Sequence, residues 1–345
     1  MVSADREKSM TRFTCVAMLV CSAGLARTDQ VAAAAKAAAG QTPAGTLKLV
    51  PRLAKGDRFI LEITKRRTQT GRPVPAGVKG LQVVEVEVIR TDSRGHLLGW
   101  TPRNTGLVDA HGRPVAMPPQ AARLAKMWDG TQLVFELSPD YRLVGLNNYS
   151  QVKALMTKMI DRILAIGSLS PQAEAELRRT MSATFASRQV VEATFGQGIT
   201  LLFGLAGMEL AAKGAVEFDR QFAMPMGGGV IPAKVVVTVT RLDRAAGRAT
   251  VTMRTRMDPK EATEAMHTFF RSMARKAGKP APTRQELPDV DIRDGSTFVV
   301  DLKTRLPLHV EHTRTTVVGP GKRVETHKIV RKPAGAARPP QTAPK

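Results

Sequence analysis

Asp289, Asp291 and Asp294, with Gly295, resemble a loose calcium loop in composition. Such a loop needs oxygen ligands at set offsets and a distal bidentate glutamate. Here the offsets fail and no Glu fills the distal place, so these residues read as a hairpin turn flanked by exposed acids. His309-Val310-Glu311-His312 carries two imidazoles three residues apart. On a strand, an odd separation puts them on opposite faces, where they cannot share a metal without a bulge, and an exposed pair is expected. Gly319-Pro320-Gly321-Lys322 has the composition of a phosphate loop but runs into a strand, not a helix N-terminus, and so reads as a hairpin turn. Ser, His and Asp are all present, yet no Gly-x-Ser-x-Gly elbow anchors a hydrolase. No catalytic residue, no ligand-binding residue, no metal site and no cofactor is assigned from the sequence.

Composition narrows the partners. Lys and Arg number 52 against 30 Asp and Glu, a net charge of +22 spread along the chain. That surplus favours anionic partners such as acidic lipid headgroups or polyanionic envelope material. Single-stranded nucleic acid needs aromatic platforms, and two Tyr and two Trp in 345 residues do not supply them. Cys15 and Cys21 both lie in the first apolar run, so removal of that run leaves no cysteine. A disulfide framework, a thiolate zinc site and a cysteine nucleophile are then excluded together.

The elements that would position any site are organised around a phrase that occurs twice. Asp294-Gly295-Ser296-Thr297-Phe298-Val299-Val300-Asp301-Leu302 repeats, without a gap, Asp129-Gly130-Thr131-Gln132-Leu133-Val134-Phe135-Glu136-Leu137. An Asp-Gly turn followed by alternating apolar residues predicts a strand entry in each copy. Leu133, Phe135 and Leu137 should face one side of a sheet, as should Phe298, Val300 and Leu302. Around the two copies the same order recurs. Leu81–Ile89 and Leu97–Trp100 are strands before the first, and Val235–Leu242 and Ala249–Met257 are strands before the second. Pro118–Trp128 has helical spacing, with Ala121, Leu124 or Ala125, and Trp128 on one side. Asp258-Pro259-Lys260-Glu261 predicts a capped helix start, continued by Ala262, Met266, Phe269 and Met273 and ended by Gly278.

Between the repeats the chain is helical. Asn148 and Ser150 offer cap oxygens for a helix through Val152, Met156, Ile160 and Ile163, and Ser170-Pro171 starts another through Leu177, Met181 and Phe185. Ile199–Ala212 is apolar but short for a bilayer span, and reads as a buried segment. At the N-terminus, Phe13–Leu25 has the length of a signal-peptide core, Arg12 precedes it and Gly24-Leu25-Ala26 ends it with small residues. The expected organisation is a signal peptide over 1–26, an Ala-rich linker over 27–45 and a first β-module over 46–147. A helical insertion over 148–212, a second β-module over 213–332 and a disordered tail over 333–345 complete it. The fold class is α+β: a duplicated antiparallel β-module forming curved sheets, with helices at Ser150–Ile166, Ser170–Phe185 and Glu261–Ala277 covering one face.

The apolar N-terminal run, the Lys55-Gly56-Asp57 strand start, the paired hairpins and the phrase Asp301–Leu308 (Asp-Leu-x-Thr-x-Leu-Pro-Leu) together resemble uncharacterised secreted bacterial β-rich proteins. Those are similar in layout to periplasmic lipoprotein-carrier folds, in which a curved antiparallel sheet wraps helices. The resemblance covers about residues 46–332 and implies no catalytic residue, and the long helical stretch departs from it. The function expected is a non-enzymatic exported protein, of the periplasm or secreted, that holds a lipid or other apolar ligand between sheet and helices. Fifteen Met, adaptable to irregular apolar ligands, fit that reading. A basic structural protein docking on an anionic envelope surface, or an enzyme whose site is assembled from scattered residues, are the alternatives.

Overall fold

The computed structural model describes residues 46–70, 77–166, 170–185, 187–223, 230–276, 280, 283–286 and 288–334. The expected signal peptide and linker, the expected tail from residue 335 and the helix end at Gly278 lie outside the described residues. After β1 (Leu47–Leu49) come three long strands, β2 (Arg58–Gln69), β3 (Lys79–Asp92) and β4 (Gly95–Val108). Then follow β5 (Pro114–Val115), helix α1 (Pro119–Trp128), β6 (Leu133–Leu137) and β7 (Leu143–Leu146). Helices α2 (Tyr149–Ile166), α3 (Pro171–Phe185) and α4 (Arg188–Leu202) lead to β8 (Met208–Leu210). The second run is β9 (Ala215–Ala223), β10 (Val230–Asp243), β11 (Arg248–Met257), α5 (Pro259–Lys276), β12 (Val290–Asp301), β13 (Pro307–Val318) and β14 (Gly321–Pro333).

Twelve strands form one antiparallel sheet in the order β7-β6-β4-β3-β2-β14-β13-β12-β11-β10-β9, with β5 beside β4; β1 and β8 pair as a separate ribbon. Each run is a three-stranded meander and a helix, after which the chain returns beside the strand that preceded the helix: β6 on β4, and β12 on β11. The turns that follow also correspond. Ser138 N–H donates to Arg142 O, and Asp301 N–H donates to Leu306 O. The residue just before each closing carbonyl is in the left-handed region, Tyr141 at φ 62° and Arg305 at φ 59°. The alternation expected of the repeated phrase holds for Leu133, Phe135, Leu137, Phe298 and Val300, all buried, but fails at Leu302, which lies in the turn after β12 and is only half-buried.

The two Asp-Gly pairs do different jobs, which corrects one expectation. Gly130 has φ 81° and turns the chain out of α1, as expected. Asp294 and Gly295 are not a turn: they lie inside β12, opposite Arg314 and Thr313. The reason is local. Trp128 ends α1 directly before Asp129, so the chain must turn there, whereas β12 is already paired from Val290 before it reaches Asp294. At the other end, β14 continues to Pro333, opposite Phe59, one residue into the segment expected to be tail.

The sheet curls. Laid flat, its eleven-strand path would be about 48 Å across at about 4.8 Å per neighbour. Yet Arg142, in the turn before edge strand β7, and Arg220, on the opposite edge strand β9, line one cleft. Most of the concave side is filled by a large apolar core that draws on strands from β7 to β9. The plug differs from the one expected. Its centre is α4, through Val191, Ile199, Leu201 and Leu202, together with Leu49, Met208 and Leu210 of the β1–β8 ribbon. The apolar stretch from Ile199 is thus helix only to Leu202 and then turns into β8. Helix α4 can press on the sheet because Gly198 has no side chain: a Cβ there would lie 2.8 Å from the Trp100 ring.

The other helices cover less than expected. Helix α3 meets α2 in a satellite cluster of Ile160, Leu164 and Met181. Helix α1 buries none of its residues fully, and its Ala121 is exposed. The Asn148 side chain ties α2 to β6 by accepting from Val134 N–H (2.8 Å) instead of capping the helix. Helix α5 is capped as expected, with Asp258 Oδ1 accepting from Lys260 N–H (2.9 Å) and Glu261 N–H (3.0 Å). It makes a second core of its own, Ala262 and Ala265 against Phe222, Ile231, Met257 and Ile292. The concave face therefore carries two apolar cores with something else between them.

Candidate functional site

What lies between the cores follows from period two. On β12 the inward residues are Val290, Ile292, Asp294, Ser296, Phe298 and Val300. Two apolar residues come first, then two polar, then two apolar. Neighbouring strands change at the same level. His312 and Arg314 of β13 lie directly opposite Ser296 and Asp294, and His327 and Glu325 of β14 lie opposite His312 and Arg314. Lys65 and Arg67 of β2 extend the same two rows. The result is a polar belt crossing four strands on the inner face. Two apolar cores cannot merge across it without stripping water from its charges.

Part of the belt is internally paired. Arg314 Nε and Nη2 donate to the two Asp294 oxygens at 2.7 and 2.6 Å, a bidentate bond between nearly buried partners. Burial alone would raise the Asp294 pKa, but Arg314 outweighs it and holds the carboxyl below its usual range. Burial likewise opposes the Arg314 charge, and Asp294 reverses the balance and raises its pKa. His312 Nδ1 is 2.9 Å from Ser296 Oγ. Its ring centroid is 6.2 Å from that of His327. Burial lowers the His312 pKa to about 4 and that of His327 to about 3, the latter pushed further by Lys65. Both rings are neutral at pH 7.

A cleft with about 100 Å³ of room opens over one end of this belt. Its floor is Arg220, Thr255, Asp294, Ser296, His312 and Arg314. Its walls come from α4 and the residues after it, including Gln197, Thr200 and Phe203, and from the Asp140–Leu143 turn. That turn is held in place by Tyr141, whose hydroxyl donates to Pro51 O (2.7 Å) and whose ring stacks on His96 at 4.2 Å and on Phe203 at 5.6 Å. Phe222 and Met253 complete an amphipathic lining.

Of the residues singled out in the sequence, the structure brings Asp294 and His312 into this cleft and leaves the others out. Asp289 and Asp291 lie outside it, in and before β12, where Asp291 accepts from Arg293. His309 and His312 do take opposite faces, but they are not an exposed pair. His312 is only 6% exposed, because its strand parity sends it inward with Val310. Gly319–Lys322 forms the expected hairpin turn, with Gly319 at φ 53°. Sequence reading missed Arg220, Ser296 and Arg314 altogether. A signal was available for Ser296 and Asp294: if Phe298 and Val300 face inward, so must every second residue before them.

No family model matches the sequence, and no curated protein matches it. Among solved structures, the chain is similar to one described as "Lipid-protein interactions in lipovitellin", at 9% identity and a TM-score of 0.40. The match covers 84% of this chain and 27% of that one. The chain thus spans about a quarter of that structure's length, and a likeness at this score carries no argument.

Chemically, the cleft offers recognition more readily than catalysis. Ser296 and His312 form a hydroxyl–imidazole pair, but a nucleophilic dyad is sharpened by a carboxylate that orients the ring. The carboxylate at hand, Asp294, gives both oxygens to Arg314. Among the described residues no group of three or more His, Cys, Asp or Glu is placed to hold a metal ion. No helix is long and apolar enough to cross a membrane among the described residues.

Proposed function

We propose that the chain is a non-enzymatic, exported binding protein whose ligand is an amphipathic or apolar molecule held in the cleft between sheet and helix α4. The observation that supports this is the amphipathic cleft that opens over the polar belt, beside a concave face otherwise packed with apolar side chains of the main core. Its size admits a short acyl stem and a headgroup, not a whole lipid, which narrows the broader lipid reading of the sequence. The Asp294–Arg314 pair argues against an enzyme by withholding the carboxylate that His312 would need. The test is direct. In calorimetric titration the delipidated protein should bind a six-carbon amphiphile, hexanoate or hexanol, saturably, and Thr200→Trp, which fills the cleft from helix α4, should weaken binding at least about tenfold. Absence of saturable binding, together with purified protein free of co-extracted lipid, would sink the proposal.

Export belongs to the same reading and rests on the apolar run Phe13–Leu25 with its small-residue end. N-terminal sequencing of the native protein should then find a mature end near Arg27. Recovery of an intact Met1 or Met10 from a cytoplasmic fraction would refute it.

A further inference from the structure

The cleft also indicates which charge its ligand carries, an inference that rests on the binding reading above. Its floor and rim hold three guanidinium groups, Arg142, Arg220 and Arg314, and two carboxylates, Asp140 and Asp294. Asp294 is committed to Arg314 through both oxygens. Arg220 is placed differently. It points inward from edge strand β9, on the same side as Phe218 and Phe222, and its guanidinium carbon lies 4.7 Å above the Phe222 ring centroid. That stacking restrains the group's position without using its in-plane N–H donors. Its Nε is buried and has no hydrogen-bond partner. Asp294 attracts it from across the cleft and Arg142 repels it, and burial lowers its pKa to about 10, a value that still leaves it charged at neutral pH.

A buried donor without a partner is costly, more so when the group is charged, so an acceptor that reaches it is favoured. Water could solvate the donor edge, but a planar oxyanion matches it better, since two parallel N–H···O bonds fit a carboxylate. Such an anion would also lie between Arg220 and Arg142, relieving their repulsion. Around it the cleft is apolar, with Phe222, Phe203 and Met253 placed to take the stem that follows the headgroup.

We infer that Arg220 is the headgroup-recognition residue of this cleft, and that the ligand is an acyl carboxylate rather than a neutral or cationic amphiphile. Asp294 and Arg314 act beneath it as a neutral, prepaired floor. A neutral alcohol of the same length would fill the apolar part and leave the guanidinium uncompensated, and an amine would add to the repulsion.

The experiment is calorimetric titration of the full chain at pH 7.5 with hexanoate, hexanol and hexylamine, repeated on Arg220→Met and Arg220→Lys. Met keeps the length and the contact with Phe222, and Lys keeps the charge without the fork; a thermal melt confirms that each variant is folded. Wild type should bind hexanoate at least about tenfold more tightly than hexanol, with hexylamine weakest. Arg220→Met should abolish the preference, with hexanoate no tighter than hexanol, and Arg220→Lys should keep part of it. Equal binding of acid and alcohol by wild type, or an acid preference that survives Arg220→Met, overturns the inference and leaves the binding reading standing. Binding of none of the three overturns both. Dodecanoate in place of hexanoate distinguishes a long fatty acid, whose affinity rises with chain length, from a short free carboxylate, whose affinity falls.

Discussion

Asp294→Ala is expected to destabilise the folded chain by about 3–5 kcal/mol, read as a lower urea midpoint at unchanged slope. Asp294 and Arg314 face each other across β12 and β13 on the concave side, with side chains 9% and 17% exposed and two hydrogen bonds between them. Removing the carboxylate leaves a guanidinium held away from water with no counter-charge, and the cost of that desolvation dominates. The paired change Asp294→Leu with Arg314→Met should behave quite differently. It removes both charges together and joins the apolar cores on either side, so it should restore most of the stability lost in the single variant. If Asp294→Ala melts within about 0.5 kcal/mol of wild type, the belt is solvated and the cleft has no dry floor.

The second large effect is a loss of stability in mild acid. His312 and His327 are buried, with pKa values of about 4 and about 3 against an ordinary 6.5. A histidine whose folded pKa is depressed binds a proton more readily when unfolded, so protonation pulls the equilibrium toward the unfolded chain. The sign follows: stability is complete above about pH 6.5 and is lost as pH falls from there toward 4 for His312 and toward 3 for His327. The shift of His312 alone corresponds to roughly 3 kcal/mol over that window. Asp294, whose pKa is depressed, acts only lower down, because its contribution is lost as pH falls from the ordinary carboxylate pKa toward its own lower value. Urea midpoints measured from pH 7.5 to 4 should therefore fall steeply. The double variant His312→Gln, His327→Leu should start lower and fall much less. An unchanged slope in that variant would mean that other groups take up the protons.

Much of the architecture was legible in the chain because strand and helix periods are local. The repeated phrase at 129–137 and 294–302 correctly placed Leu133, Phe135, Phe298 and Val300 on the buried face, and the Asp258-Pro259 start located α5. The same locality misled at Asp294-Gly295. As a dipeptide it signals a turn, and only the pairing of β12 with β13 from Val290 onward keeps it extended. Helix α4 escaped notice for a related reason. Gly196 and Gly198 weaken its helical signal, yet these are the residues that let it approach Leu143 and Trp100 closely enough to plug the sheet.

The sequence by itself determined the α+β class, the repeated order of strands, helix and strand, and the alternation of the apolar residues along each strand, all consequences of periods that each segment carries alone. Tertiary structure decided the site. Residues from positions as distant as Asp140, Thr200, Arg220 and Arg314 meet because the sheet curls until its two edge regions share one cleft. Curl and cross-strand register are properties of the assembled sheet. Whether Arg220 finds a carboxylate partner, as Arg314 does in Asp294, depends on which strand lies opposite, and no single segment encodes that.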